Sequence, residues 1–341
     1  MSIQGATENN LQDVNLRLPL NRLIGISGVS GSGKSTLIRQ TLFNALDRLF
    51  NQSTESIGRF KKLFGSDRLK GVVLLDQSPI GRTSRSIPLS VIGAYDEVRQ
   101  IFAEVAEQRG RAWGPGHFSF NVTGGRCETC KGEGFVTTEM YFLDDLKLLC
   151  EDCGGKRFKK EVLELKYRGK NIDDILQMTV STAKAFFSDR KSLILKFQQL
   201  ERVGLGYLQL GQPSQSLSGG ESQRLKIATE IFNVKKKQHL YILDEPTTGL
   251  HVSEIEVLIS LLQDLVDAGN TVVVIEHQLD VLKCVDWLVD LGPGAGVEGG
   301  RIVGEGTPEE VARLNTPTGS AMKMILAAAK TSSSTVSVAS P

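Results

Sequence analysis

The sequence has almost no net charge: 40 Lys and Arg against 39 Asp and Glu leave a formal +1. No global field announces a nucleic-acid or membrane partner, so any such partner has to be recognised by a local patch. Long apolar runs are missing too. The longest, such as TVVVI at 271–275, fall far short of the roughly 20 residues that span a bilayer. The opening MSIQGATENN lacks the basic-then-apolar layout of a secretory signal. A cytoplasmic chain with no membrane partner is expected, in a compartment that keeps thiols reduced. Cysteine is scarce, with five in the chain, four of them in two CxxC pairs. In a reducing compartment that pattern points to metal rather than disulfides.

What is present suits a soluble globular protein of 341 residues, enough for one large domain or two modest ones. Three short Val/Ile/Leu runs, GVVLLD (71–76), LYILD (240–244) and TVVVIEH (271–277), read as central strands covered on both faces. VNLRLPL alternates Val14, Leu16 and Leu18 with polar neighbours, as a half-exposed antiparallel strand does. After Ser253 the set Ile255, Leu258, Ile259, Leu262, Leu265 and Val266 keeps to one helical face, with Ser253 and Glu256 as its expected capping box and Gly269 as its stop. Thr307, Pro308 and Glu310 repeat that capping logic. Strands alternating with helices predict an α/β core with a mainly parallel sheet. Residues 1–85 and 215–325 are expected to form this core and 86–214 an insertion, with the cysteines in a module at about 120–170. The small polar tail at 326–341 predicts disorder.

GVSGSGKS, Gly28 to Ser35, fits the phosphate-binding pattern GxxxxGK[ST] between an apolar strand and a helical stretch. Gly28, Gly31 and Gly33 let backbone N–H groups turn inward around phosphates, with Ser30 in the loop and Thr36 just beyond it. Lys34 is expected on the β- and γ-phosphates and Ser35 on Mg²⁺. LSGGESQRLKIATE (217–230) makes a second helix N-terminus with close backbone approach, at Ser218, Gly219, Gly220 and Glu221. Its free N–H groups suit an anion, and a second anion site makes sense if it serves another subunit's nucleotide. YILDEPTTGLH (241–251) is a strand ending in two carboxylates: Asp244 for Mg²⁺ and Glu245 to polarise an attacking water. His277 closes the next strand, where it can sense the γ-phosphate.

The pairs Cys127/Cys130 and Cys150/Cys153 each continue as CxxCxG, with Gly132 and Gly155 available for positive φ. Four thiolates form a closed tetrahedral set, so a structural Zn²⁺ is expected. Cys284, in QLDVLKCVDW, reads as a core residue. KRFKKEVLELKYRGK (156–170) and RFKKLFGSDRLK (59–70) are basic, the first interleaved with Phe158 and Tyr167, which suits a nucleic-acid backbone as well as a solvated face.

The order of P-loop, Gln77 in LLDQSPIGR, LSGGE, Asp-Glu and histidine resembles the ATP-binding cassette family. That resemblance implies ATP hydrolysis in a head-to-tail dimer, with roles for Lys34, Gln77, Glu245 and His277. Each ATP would sit between the P-loop of one cassette and Ser218–Glu221 of the other. Two departures point away from a transporter subunit. The loop TTGLH holds Gly249, Leu250 and His251 where most cassettes carry an aspartate, and the first residues lack an aromatic to stack on adenine. The middle of the chain, from FSFNVTGGRCETCKGEG through GKRFKKEVLELKYRGKNIDDIL, together with LDQSPIGRTSRS and DEPTTGLH, is similar to the UvrA family of damage-sensing excinuclease ATPases. The similarity is to the second of that family's two cassettes, from about residue 3 to 325, and implies duplex DNA as a ligand. It also implies pairing with a second copy or with a separate UvrA-like first half. The half that recruits UvrB has no counterpart here, so UvrB recruitment is not expected. The alternatives are a cassette powering a transporter or a ribosome-associated process, and a non-catalytic DNA-binding half.

Overall fold

The computed structural model describes residues 1–78, 80, 85–138, 146–232 and 237–336. Part of LDQSPIGRTSRS (79 and 81–84) and part of FVTTEMYFLDDL (139–145) thus lie outside the described residues. The chain divides into two compact units, residues 1–77 with 233–341, and residues 78–232. No helix among the described residues is long and apolar enough to cross a membrane.

In the first unit, β1 (Ser2–Ala6) pairs antiparallel with β2 (Val14–Arg17) and with β4 (Lys62–Phe64). The alternation expected for VNLR is seen as buried Val14 and Leu16 against exposed Asn15 and Arg17. The second sheet is built from β3 (Leu23–Gly28), β5 (Gly71–Leu75), β8 (His239–Asp244), β9 (Thr271–Ile275), β10 (Trp287–Gly292) and β11 (Arg301–Gly306). The intervening strands β6 (Phe135–Thr138) and β7 (Leu146–Leu149) belong to the other unit. The order is β11-β10-β3-β9-β8-β5, parallel throughout except for β11. Every residue of β3 and β9 is buried, which is why these strands read as unbroken apolar runs rather than alternating ones. Ile24, Ile26, Val273, Ile275, Leu240 and Ile242 join Leu37, Ile38, Leu42 and Leu46 of the helix after the P-loop in one core.

The helix Val252–Asp267 buries Ile255, Leu258, Leu262, Leu265 and Val266 as its pattern predicts. Gly269 ends it at φ 89°. The expected Ser253–Glu256 box rests on a side chain outside the described residues; at this end the His251 N–H donates to Glu254 Oε2 at 2.9 Å. The helix starts at Val252, so Glu254 rather than Glu256 falls in its first turn. The Thr307/Glu310 box forms as expected, with reciprocal bonds of 2.8 and 3.3 Å. The final helix spans Pro317–Val336 and so enters the segment whose composition suggested disorder. Ala327–Ala329 and Lys330 are good helix formers that let the preceding turns propagate.

The second unit is mostly helical, with main helices Tyr95–Gln108, Lys191–Arg202 and Gly219–Phe232. Residues 215–232, read from sequence with the core, fall within this unit. Its centre is aromatic. Tyr95 stacks on Phe120, Phe102 tilts against Phe118, and Phe158 meets Phe120 edge-on at 6.1 Å. β6 and β7 form a two-stranded antiparallel ribbon that lies between the two cysteine pairs in sequence.

Glycines in 292–300 seat the chain against the P-loop. Gly300, at φ 74°, donates its N–H to Ser32 O at 2.9 Å, and a Cβ there would lie 1.8 Å from Asn10 O. Gly300→Ala should therefore destabilise the protein by about 2 kcal/mol or more. Gly296→Ala, also at positive φ but with nothing within 4 Å of the added carbon, should cost only about 1 kcal/mol. Urea unfolding midpoints of the two variants check the difference.

Candidate functional site

Four of the sequence motifs meet at the carboxyl edge of the parallel sheet, where the loops after β3, β5, β8 and β9 emerge. The P-loop leaves β3 with Gly28, Gly31 and Gly33 at φ 136°, 77° and 106°, conformations that only glycine takes freely. A Cβ at Gly28 would sit 2.2 Å from Leu291 O and one at Gly33 2.9 Å from Leu11 Cδ2. Asn10 holds the loop from outside: its Nδ2 donates to Gly31 O and Gly296 O, both at 3.0 Å. Ser35 precedes a π-helical stretch, Thr36–Phe43, that continues as the helix Asn44–Asn51. The first-turn amides of such a helix lack intrahelical acceptors and suit an anion.

Lys34 is 6% exposed and curls over its own loop, donating from Nζ to Gly28 O at 2.8 Å and Val29 O at 3.0 Å. Burial holds its pKa below the usual lysine value, while Glu245, Asp244 and Asp290 draw it back up. Among the described residues the ammonium's direct partners are neutral carbonyls, and phosphate oxygens would be stronger acceptors. Asp244, ending β8, accepts from Arg39 Nη1 at 2.8 Å, and Arg39 Nη2 reaches Asp76 Oδ2 at 3.3 Å. Nothing in the sequence reading pointed to Asn10, Arg39 or Asp76. Arg39 lies five residues past Lys34, but its acid is 205 positions away, and no local pattern links them.

Glu245 adopts φ 47°, an uncommon conformation for a residue with a side chain. Its N–H donates to Ile275 O at 2.9 Å, and its carbonyl accepts from Thr248 N–H at 3.1 Å and Gln77 Nε2 at 3.4 Å. His277 Nε2 lies 3.5 Å from Glu245 Oε1, both side chains about half exposed. Lys34, Gln77, Asp244, Glu245 and His277 all belong to the first unit.

Ser218, Gly219, Gly220 and Glu221 belong to the second unit, at the start of the helix Gly219–Phe232. There Ser218 N–H donates to Glu221 Oε2 at 2.8 Å, and Ser218 Oγ accepts Glu221 N–H at 3.2 Å. Tyr207 Oη donates to Glu221 Oε1 at 2.6 Å. Burial opposes ionisation of Glu221, but the Tyr207 hydroxyl and the Ser218 N–H hold its carboxyl below the usual range.

The second unit also brings Cys127, Cys130, Cys150 and Cys153 together, all buried, with their sulfurs within 4.8 Å of one another. Cys127 and Cys150 sulfurs are 3.9 Å apart, and those of Cys130 and Cys153 are 3.7 Å apart. Four thiolates on a tetrahedral Zn²⁺ at about 2.3 Å would sit about 3.8 Å from one another, so the set fits such an ion. Each knuckle takes two successive left-handed residues: Lys131 and Gly132 at 51° and 86°, and Gly154 and Gly155 at 56° and 81°. At Gly132 a Cβ would fall 2.0 Å from Phe120 O, so glycine is required there for space as well as for φ. The Gly134 N–H donates to Cys130 Sγ at 3.3 Å. Burial pushes the Cys153 thiol up to about 12 and raises Cys130 as well.

Two expectations need correction. Cys284 is exposed rather than in the core, because its helix is one turn long, Leu279–Leu282, and ends before it. Phe158, which with Tyr167 interleaves the basic run read as suiting a nucleic-acid backbone or a solvated face, is 1% exposed and packs on Phe120. The basic run is otherwise displayed: Lys156, Lys159, Lys160, Lys166, Arg168 and Lys170 are exposed. Arg157 instead lies over the Phe120 ring at 5.1 Å.

The chain belongs to the ATP-binding-cassette family: residues 11–248 match the family described as ABC transporter. Within it the similarity narrows to UvrA. UvrABC system protein A of Thermus thermophilus is 54% identical over 323 residues, 95% of this chain and 34% of that protein. The Bacillus subtilis protein is 48% identical, over 97% of this chain and 35% of its own length. The crystal structure of UvrA2 from Deinococcus radiodurans matches with a TM-score of 0.86 at 45% identity, over 95% of this chain and 39% of that one. The chain therefore spans about a third of the length of the curated relatives it matches.

Because burial raises the Cys130 and Cys153 thiols, a thiophilic cation must displace protons there to bind. One divalent metal per chain is expected by elemental analysis. Binding should release protons and weaken as pH falls, and Cys150→Ser should abolish stoichiometric retention. Titration of metal-free protein in a weakly buffered indicator solution checks this.

Proposed function

We propose that the chain is an ATP-hydrolysing, DNA-binding cassette of UvrA type that acts in damage recognition for nucleotide excision repair. The observation that carries this reading is the approach of Glu245 to His277, 3.5 Å apart, beside a lysine-bearing P-loop, in a chain so similar to UvrA. Gly28, Ser30, Gly31, Gly33, Lys34, Ser35 and Thr36 would cradle the phosphates, with Lys34 leaving Gly28 O and Val29 O for the β- and γ-phosphate oxygens. Ser35 and Asp244 would hold Mg²⁺, which supplies charge neutralisation at the phosphates. Asp244 would then exchange Arg39 for the ion's hydration shell.

Glu245 would accept a proton from a water whose oxygen attacks the γ-phosphorus as the bond to the β-phosphate bridging oxygen breaks. His277 would donate to a γ-phosphate oxygen, and Gln77 would help to orient the water. Ser218–Glu221 would serve the nucleotide of a second cassette, from another copy or from a separate UvrA-like first half, so turnover needs association. Residues 78–232 would act as the signature-region insertion. In it Cys127, Cys130, Cys150 and Cys153 would hold Zn²⁺ as a structural ion, fixing the base of a basic surface. Lys156, Lys159, Lys160, Lys166 and Lys170 would contact the backbone of duplex DNA, and damage would be read through deformability rather than base edges. A DNA substrate implies a cytoplasmic protein.

Steady-state ATP turnover of the purified chain, measured across protein concentration with and without duplex DNA, tests the reading. Turnover per chain should rise with concentration and respond to DNA. Glu245→Gln should lower kcat by about 100-fold or more while nucleotide binding persists. Retention of full turnover by that variant sinks the assignment.

A further inference from the structure

Glu276, between the buried strand β9 and His277, belongs to none of the motifs above. Its side chain is 2% exposed, and a carboxylate at that depth keeps its place only if its oxygens are satisfied. Here one oxygen serves each of two loops. Oε1 accepts the Thr247 N–H at 2.9 Å and the Thr247 hydroxyl at 2.8 Å. Oε2 accepts the His277 N–H at 3.0 Å and the Gln278 N–H at 3.3 Å. Thr247 stands two residues after Glu245, and the loop TTGLH contains no acid of its own. One buried carboxylate thus ties the loop of the water-activating glutamate to that of the phosphate-sensing histidine.

Two further observations give this tie a role beyond packing. Glu245 is held at φ 47°, a conformation that persists only when its surroundings over-determine it. Glu245 itself is held by backbone bonds, to Ile275 O and from Thr248 N–H, and by a long bond from Gln77 Nε2 at 3.4 Å, while the Thr247 anchor adds shorter bonds to a buried side chain that fix where the loop leaves the strand. The 3.5 Å approach of His277 Nε2 to Glu245 Oε1 also joins two half-exposed groups on loops that share no strand. We infer that Glu276 is a positioning residue for ATP hydrolysis, setting the mutual placement of Glu245 and His277 by gripping both of their loops. This rests on the reading that ATP is hydrolysed at this site.

Glu276→Gln separates the two grips. An amide presents one oxygen and one NH₂, so either Thr247 or the His277/Gln278 pair is left facing a donor. In the full chain, under the conditions in which the unsubstituted protein turns over, Glu276→Gln should lower kcat about tenfold or more. Affinity for a fluorescent ATP analogue should stay within about threefold, the pattern of an interaction that matters in the transition state. Thr247→Val should show a smaller fall of the same kind, and Thr247→Ser should restore most of it. His277→Ala should cost less in the Glu276→Gln background than alone, since both would disable one arrangement. Amide hydrogen exchange across 245–250 and 277–278 should quicken in the substituted chain without nucleotide.

A kcat within twofold of the unsubstituted chain overturns the inference. So does a fall matched by equal loss of nucleotide affinity or of folded protein, the signature of a merely structural role. Should Glu276→Gln not fold, the Thr247→Val and Thr247→Ser pair carries the test, and equal kcat in the two overturns it. Absence of turnover in the unsubstituted chain at every concentration fails the hydrolysis reading and this inference with it, whereas an unaffected Glu276→Gln variant fails this inference alone.

Discussion

The parallel register of three buried strands is the constraint on which the candidate nucleotide site depends. Ile26 of β3 lies beside Ile275 of β9, and Ile275 lies beside Asp244 of β8. Within two residues of that level the three strands end, at Gly28, Asp244 and Ile275, and the P-loop, Glu245 and Glu276–His277 follow. A slip of one residue in either pairing would turn the side chains of a whole strand to the other face. The strands are buried on both faces, so such a slip is opposed along their whole length. The motifs supply reactive groups, and the ladder brings them to one place.

On that edge each charged group is met by hydrogen-bond partners. Lys34 rests on carbonyls, Arg39 spans Asp244 and Asp76, and Glu276 is met by four donors. Lys34 and Glu276 are buried, where an unpaired charge would be costly. Nucleotide and Mg²⁺ binding would exchange two of these arrangements, those of Lys34 and Arg39, and leave that of Glu276 in place. On that reading the pairs have different roles: the first two would make room for ligand, and the third would keep the loops aligned.

The cysteine cluster follows another logic. Its four sulfurs converge because two short knuckles each turn through successive left-handed residues, with Phe120 O closing the space beside Gly132. The cluster is joined to the aromatic core through that carbonyl and through Arg157 over the Phe120 ring. An ion held there would brace the packing around Phe120.

Much was legible in the chain itself, wherever chemistry is carried by neighbours in sequence. The P-loop glycines, the Asp-Glu pair, both CxxCxG knuckles and the apolar runs of β3, β8 and β9 are contiguous, and their meaning lies in spacing of a few residues. Local reading erred where a short element's length mattered, as for Cys284 beyond a one-turn helix, and where an aromatic in a basic run turned inward, as Phe158 does. It was silent on Asn10, Arg39, Asp76 and Glu276. Arg39 meets Asp244 across 205 positions and Asn10 meets Gly296 across 286. Such contacts exist only once the order β10-β3-β9-β8-β5 is set. By itself the sequence determined the strands, the phosphate loop and the thiol pairs, because these are written in local periodicity. Tertiary structure alone decided which distant side chains hold those pieces in working register, because strand order is a property of the packed sheet and not of any stretch within it.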